Sequence, residues 1–293
     1  MLQRRTLLKT SAAVALGGPA LSGLAQQSVT LKFHTFMAPQ SAVYLTMHKA
    51  WMEKVEKDSG GRIKFEGYPA MQLGGTPVQL YDQAKDGVVD IVWTLPGNTA
   101  GRFPRTEVFE LPFMMNNAEA TSKAFWDYIH TEAADEYKDT QVLALHVHGP
   151  GMFHTTDRQI KSAADLKGLK MRAPTRQVTK LLGALGATPV GMPLPAITDA
   201  LSKGTINGCV IPWEVVPAVK VHELTKFHTE FPPNSTALYT TTITTMASAD
   251  VADFIKRSSQ VDDEWVADMN KRGFNGAKLL QSAKDLIAKH GKA

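Results

Sequence analysis

Apolar and polar residues follow two alternating patterns along most of this chain. Short apolar runs of strand length are separated by longer segments whose apolar residues recur every three or four positions, as on one face of a helix. The runs predict strands at residues 31–36, 63–68, 89–95, 142–147, 169–172, 188–192 and 206–211. Strands that alternate with helices are typical of largely parallel sheets covered by helices, so we expect an α/β fold.

The alternation of strands and helices starts again after residue 147. We therefore predict two α/β lobes, at residues 26–147 and 148–236. A Thr-rich strand at 237–246 leads out of the second lobe, and C-terminal helices brace the lobes, so that part of 237–293 completes the first lobe. In open α/β sheets, ligands bind at the carboxyl ends of the strands, which predicts a ligand cleft between the lobes.

The basic excess of the chain lies at its amino terminus. The sequence has 32 basic and 28 acidic residues, and residues 1–27 hold three of the basic ones and no acid. The remainder therefore carries 29 basic and 28 acidic residues. Such a balance gives no support to nucleic-acid binding, which needs a basic stripe on the folded domain.

The first residues have the pattern of an export signal. Arg4 and Arg5 precede an apolar, small-residue run at 7–24 that ends at Ala25. We predict that residues 1–25 are cleaved, because small residues lie where a signal peptidase acts. The run is too rich in Gly and Ala for a membrane span, and no later stretch is long enough. We expect a periplasmic protein without a membrane span, exported by the twin-arginine or the ordinary secretory route.

The residues give little support to an enzyme, a metal site or a cofactor site. The single cysteine, Cys209, excludes an intramolecular disulfide and a cysteine-based zinc site. His146, His148 and His154 are close in sequence, but no carboxylate stands at ligand spacing. Neither a Gly-x-Ser-x-Gly nucleophile motif nor a dinucleotide-binding glycine motif is present. We expect no catalysis, no metal and no cofactor.

Several motifs, in order, carry a family resemblance. They are Gln-Leu-Gly-Gly at 72–75, Glu-Leu-Pro-Phe-Met at 110–114, Gly-Leu-Lys-Met-Arg-Ala-Pro at 168–174, Gly-Ala-Leu-Gly-Ala-Thr-Pro-Val-Gly-Met-Pro at 183–193 and Ala-Leu-Ser-Lys-Gly-Thr-Ile-Asn-Gly at 200–208. Together they resemble the periplasmic solute-binding subunits of TRAP transporters. The resemblance implies a periplasmic-binding-protein-like fold that closes on an organic acid and delivers it to the membrane permease subunits.

Arg172 is the main candidate for ligand binding. The resemblance implies that the arginine of the Lys-Met-Arg motif forms a salt bridge to the ligand carboxylate. The residues agree with this role, because Arg172 ends a predicted strand just before Pro174 and so faces the predicted cleft. A guanidinium can hold a carboxylate through two parallel charge-assisted hydrogen bonds.

The sequence departs from the family pattern in ways that favour an apolar ligand. Members often follow the Gly of the 200–208 motif with Gln-Glu-Asn, whereas this chain has Cys-Val-Ile at 209–211. Many members that bind polar acids have a second arginine near the loop at 148–154, and this chain has none there. Burying a polar ligand tail against apolar walls is costly. We expect a monocarboxylate with an apolar or aromatic body. Both a simple acid and a 2-keto or 2-hydroxy acid fit this expectation.

Seven further side chains are candidate ligand contacts. The aromatic ones, which offer rings for stacking, are Phe36, Trp93, Phe153 and Trp213. For Phe36 considered alone, the sequence favours a position in the hydrophobic core over a ligand contact. The polar ones are Arg176, which is suited to steering acids or to a 2-keto oxygen, and Gln72 and Thr94, which are suited to hydrogen bonds.

The sequence leaves two alternative functions open and departs from the family pattern at one further place. The same cleft suits a sensor that presents its ligand to a membrane receptor, and a secreted enzyme is a more distant alternative. After Met246 the chain passes quickly into its last helices, whereas the family pattern has several tens of additional helical residues. The sequence therefore predicts a shortened bracing region.

Overall fold

The computed structural model describes residues 28–115, 117–231 and 242–291 of the 293-residue chain. The predicted export signal at 1–25 and the first part of the predicted strand at 237–246 lie outside these residues. The α-helices are α1 (Ala50–Asp58), α2 (Leu80–Lys85), α3 (Ala118–Glu132), α4 (Arg176–Ala184), α5 (Ile197–Ser202), α6 (Val221–Leu224), α7 (Ser248–Lys271) and α8 (Gly276–His290). A π-helix, Val43–Lys49, runs directly into α1.

The first lobe contains a parallel sheet of three strands in the order β2-β1-β3. The strands are β1 (Val29–Thr35), β2 (Ile63–Tyr68) and β3 (Ile91–Trp93). Phe33 of β1 pairs with Ile91 of β3, so the carboxyl ends of these strands lie at one edge of the sheet. That edge is where the rule for open α/β sheets locates a ligand.

The second lobe contains a sheet of six strands in the order β6-β5-β7-β4-β8-β9. They are β4 (Met152–Thr155), β5 (Lys170–Ala173), β6 (Thr188–Gly191), β7 (Gly208–Ile211), β8 (Phe227–Glu230) and β9 (Thr242–Thr245). The pairs β5–β6, β5–β7 and β8–β9 are parallel, whereas β4 is antiparallel to both of its neighbours. The predicted α/β class with two lobes is confirmed.

Helix α7 joins the cores of the two lobes. Its Trp265 is fully buried in the first lobe, in one apolar cluster with Tyr128 of α3, and its indole N–H donates to the Pro104 carbonyl oxygen at 2.9 Å. Its Phe254 belongs to the cluster of the second lobe, together with Met171. The bracing role expected of the C-terminal helices is therefore carried by one continuous helix of 24 residues.

Two predictions about local structure were wrong. Residues 142–147 form no strand in the described structure, although Val142, Leu145 and Val147 pack against the apolar cluster of the first lobe. Their apolar pattern reflects packing on helices, which periodicity alone does not distinguish from a buried strand. The predicted loop at 148–154 instead leads into β4, whose backbone groups pair with β7 and β8.

Candidate functional site

Arg172 is a buried cation without a carboxylate partner among the described residues. Its exposed fraction is 4%, its Nε donates to the Met192 carbonyl oxygen at 2.9 Å, and its Nη1 donates to the Val210 carbonyl oxygen at 3.1 Å. Burial lowers the pKa of Arg172 from 12.5 to about 10, with the nearby Cys209 opposing this shift, so the guanidinium stays charged at neutral pH. Nη2 has no hydrogen-bond partner in the described structure. A buried charge of this kind normally pairs with an anion.

The local sequence explains how Arg172 is held. Gly168 has a φ of +78°, which ends the preceding turn and directs the chain into β5. Along β5, Met171 and Ala173 enter the core of the second lobe, so Arg172 points to the opposite face. There it pairs in register with Cys209 of β7. Thr175 then caps α4 by accepting a hydrogen bond from the Val178 N–H.

The face of the second sheet that carries Arg172 contacts aromatic residues of the first lobe. Phe36 and Trp93 belong to one apolar cluster with Cys209, Met192 and Trp213 of the second lobe. The Phe36 and Trp93 rings lie 5.4 Å apart, and the Trp93 indole N–H donates to His146 Nε2 at 2.8 Å. The structure therefore brings Trp93, Phe36, Trp213 and the Arg172 strand together between the lobes.

Trp213 follows β7 and covers a pair of buried histidines. Its ring lies 4.9 Å from that of His154 and 5.1 Å from that of His228, and its indole N–H donates to Glu230 Oε1 at 2.6 Å. His154 Nδ1 and His228 Nδ1 are 2.6 Å apart. Burial lowers the pKa of His154 to about 3 and that of His228 to about 4, so both are neutral at neutral pH.

Phe153 lies on the other side of the sheet from Arg172. Its neighbour His154 is in register with Cys209 and so shares the Arg172 face. Phe153 packs instead against Phe231 at 5.5 Å and Phe254 at 6.1 Å, within the core of the second lobe. Phe153 is therefore a core residue of the second lobe and faces away from the side of the sheet that carries Arg172.

Gln72 and Thr94 lie in the first lobe, after strands β2 and β3. Gln72 is exposed in the turn that follows β2. Thr94 is half-buried directly after Trp93, and its hydroxyl is 3.5 Å from the Pro77 carbonyl oxygen, a long hydrogen bond. Both side chains therefore retain hydrogen-bonding capacity at the carboxyl edge of the first sheet.

Arg176 joins the lobes through ion pairs that sequence reasoning missed. Its Nε lies 2.6 Å from Glu107 Oε2, and its Nη2 lies 3.3 Å from Asp268 Oδ2 of α7. Gln177 Nε2 also donates to Glu107 Oε2 at 2.7 Å. Glu107 immediately precedes Val108, which packs in the core of the first lobe. This position next to a core residue is the only feature of the sequence that indicates a buried Glu107.

Glu110 is a second buried acid at the same contact. Its Oε2 is shielded from solvent and has no hydrogen-bond partner among the described residues. Burial raises the pKa of Glu110 from 4.5 to about 7, while a hydrogen bond from Thr175 opposes the rise. A Cβ at Gly97 would overlap Glu110 Oε1 and lie 2.6 Å from Thr175 Cγ2, so a larger residue there would displace these side chains where the lobes meet.

We expect Glu110 to make the fold less stable as the pH rises. A carboxyl group whose pKa is raised by folding contributes stability below its unfolded pKa, and this contribution is lost as the pH rises through the folded value. The free energy of unfolding of the wild type should therefore fall by about 2–3 kcal/mol between pH 4.5 and pH 7. Glu110→Gln should not show this fall. Urea unfolding across this range measures the effect, with the exposed Glu53→Gln as control. Parallel pH profiles for wild type and Glu110→Gln would contradict the expectation.

Other features of the described structure lie away from Arg172. One surface cavity, of about 520 Å³, is lined by residues of α3 and α8, and another, of about 170 Å³, is lined by Pro112–Met114, α7 and α8. In residues 28–115, 117–231 and 242–291, no cluster of three His, Cys, Asp or Glu side chains is arranged to hold a metal ion. None of the described helices combines the length and hydrophobicity needed to cross a bilayer.

Residues 33–253 match the family described as bacterial extracellular solute-binding protein, family 7, or DctP. The chain belongs to this family. The outer membrane transporter protein TsaT of Comamonas testosteroni is 28% identical over 215 residues, or 72% of this chain. The match spans 63% of the length of TsaT, so the present chain covers less than two thirds of that relative.

Two solved structures of TRAP solute-binding proteins are more similar to this chain. A TRAP solute-binding protein from Rhodoferax ferrireducens T118, in complex with copurified benzoate, is 59% identical with a TM-score of 0.87, over 90% of this chain and 99% of that one. A marine-metagenome TRAP protein specific for aromatic acids, with 3-hydroxybenzoate, is 44% identical with a TM-score of 0.86, over 90% and 99%. The shortening after Met246 stays a prediction.

Proposed function

We propose that this protein is the periplasmic solute-binding subunit of a TRAP-type transporter and captures an aromatic monocarboxylate. The observation that carries the proposal is the buried Arg172, which has no acid partner among the described residues. Its Nη2, together with the second hydrogen of Nη1, is available for a bidentate salt bridge with a ligand carboxylate. Benzoate and 3-hydroxybenzoate in the two similar structures support an aromatic body for the acid.

The surroundings of Arg172 favour one charge on the ligand. Trp93, Phe36 and Trp213 offer aromatic surface, and the histidines beside Trp213 are neutral at neutral pH. A second carboxylate would thus be buried without a cationic partner in this cluster, which costs several kcal/mol. The ring of an aromatic acid instead gains from stacking, at about 0.5–1.5 kcal/mol for each aromatic pair.

Binding and release involve closure and opening of the cleft, without a chemical step. The acid docks on Arg172 of the second lobe, and contacts from Trp93 and Phe36 of the first lobe then favour the closed state. Gln72 and Thr94 add hydrogen bonds at the edge, whereas the charge of Arg176 is compensated by Glu107 and Asp268, so Arg176 is not proposed to attract the acid. A ligand shifts this equilibrium only by its differential affinity for the two states. The closed form then docks on the permease subunits.

A thermal-shift screen of organic acids tests the ligand class. A ligand at 100 times its Kd adds about 2.7 kcal/mol, and each kcal/mol raises Tm by about 2–4 °C in domains of 150–250 residues. Benzoate, hydroxybenzoates and aryl-2-keto acids should therefore raise Tm by several degrees, whereas succinate and galactonate should not. Shifts with dicarboxylates or sugar acids alone would contradict an aromatic monocarboxylate as ligand.

A further inference from the structure

His48 is a buried imidazole whose two ring nitrogens both lack a hydrogen-bond partner among the described residues. Its exposed fraction is 3%. It lies in the π-helix before α1, a rare type of helix that occurs frequently at functional sites. Buried polar atoms are nearly always paired in native proteins, so two unpaired nitrogens on one side chain require an explanation.

The neighbours of His48 supply no partner. Phe33 lies 5.1 Å from the imidazole, between ring centres, and has no polar atom. Trp93 lies 4.9 Å away, but its indole N–H already donates to His146. Tyr44 meets His48 edge-on at 5.9 Å, and its hydroxyl lies against Gly67. The missing partner therefore comes from outside this group of side chains.

The position of His48 connects it to the ligand cleft. It packs on Trp93, which in turn packs on Phe36, and Trp93 and Phe36 belong to the apolar cluster that reaches Cys209 on the Arg172 face. We propose that His48 is a specificity-determining contact that hydrogen-bonds a hydroxyl group on the ring of the bound aromatic acid. This inference rests on the proposed function, because it requires the ring to occupy the cleft between Arg172 and Trp93.

The chemistry of His48 selects a hydroxyl over a second charge. Burial lowers the pKa of His48 to about 4, with the nearby His146 adding to the effect, so the ring is neutral at neutral pH. A neutral imidazole offers one N–H donor and one acceptor nitrogen. A phenolic hydroxyl both donates and accepts, so it matches either nitrogen, whereas a carboxylate would find no positive charge there.

The test compares benzoate with 2-, 3- and 4-hydroxybenzoate by calorimetry on the exported protein. Wild type should bind at least one hydroxybenzoate about 10-fold more tightly than benzoate. His48→Phe keeps a ring against Phe33 and Trp93 but removes both nitrogens, so this preference should fall to about 1 while benzoate affinity stays within about 3-fold. His48→Gln, which keeps a donor and an acceptor, should retain part of the preference.

The control is His34→Phe. His34 is buried on the other face of β1, where its Nδ1 lies 2.7 Å from Gln83 Oε1, so this variant should keep the wild-type preference. The proposal is overturned if wild type prefers no hydroxybenzoate, if His48→Phe weakens all four acids equally, or if it leaves the preference unchanged. If no aromatic acid binds to wild type, the proposed function itself fails, which is a distinct result.

Discussion

Replacing Arg172 with methionine is expected to lower the affinity for aromatic carboxylates by at least about 100-fold. A bidentate salt bridge lost from a closed site removes two charge-assisted hydrogen bonds, each about 1.5–3 kcal/mol. The total of about 3–6 kcal/mol corresponds to a factor of about 150 or more in Kd. Calorimetry with benzoate, or the ligand identified in the acid screen, measures the loss.

The same substitution should leave the ligand-free protein folded, with a stability close to that of wild type, because removal of the buried charge offsets the loss of hydrogen bonds to the Met192 and Val210 carbonyl oxygens. Arg172 is buried as a cation without a paired acid in the described structure, and burial lowers its pKa to about 10 although Cys209 opposes the shift. Methionine removes the uncompensated charge and fills much of the same volume. Arg172→Lys keeps the charge without the planar fork and should bind with intermediate affinity. The exposed Arg158→Met is the control, and unchanged affinity in Arg172→Met would remove the proposed salt bridge.

Replacing Glu107 with alanine is expected to lower the free energy of unfolding by about 3 kcal/mol, near the low end for breaking a buried ion pair. The Glu107 carboxylate is almost fully buried, accepts hydrogen bonds from Arg176 and Gln177, and accepts a third from the Gly101 N–H at 2.9 Å. Arg176 keeps its contact with Asp268 and is partly exposed, so its charge is not isolated by the substitution. Urea unfolding at neutral pH measures the loss.

Glu264→Ala is the matched control for Glu107→Ala. Glu264 of α7 pairs with Lys180 of α4 at 2.8 Å, but both side chains are substantially exposed. Exposed pairs contribute about 0–1 kcal/mol, so this variant should change stability little. If the two variants lose the same small amount, the buried contact between Glu107 and α4 does not stabilise the fold as proposed.

Elements with strong local signals could be predicted from the sequence. The structure has β2 at Ile63–Tyr68, the bounds that the pattern predicts, and α8 at Gly276–His290 is one of the expected C-terminal helices. Asn275 caps α8 by accepting from the Lys278 N–H, and Gly273 before it has a φ of +86°. These signals lie within a few residues of the helix, so they do not depend on the rest of the fold.

Strands β4 and β8 could not be predicted, because what makes these segments strands is their pairing with strands that are distant in sequence. Both are short and carry histidine and threonine, and their pairing partners are distant in sequence. For the same reason the direction of Phe153 could not be predicted, since a shift of one residue in the register of a strand reverses every side chain. Arg172 could be proposed from the sequence because its motif is contiguous, whereas His48 is apparent only when the rings around it are known.

Helix α7 has a thermodynamic consequence for ligand capture. At 24 residues it is about 36 Å long, and it places Trp265 in one core and Phe254 in the other. We expect a helix packed into both cores to restrict the mutual orientations of the two lobes before a ligand binds. The lobes then lose little rotational entropy when they close around the ligand. A larger part of the favourable interaction enthalpy therefore contributes to the affinity.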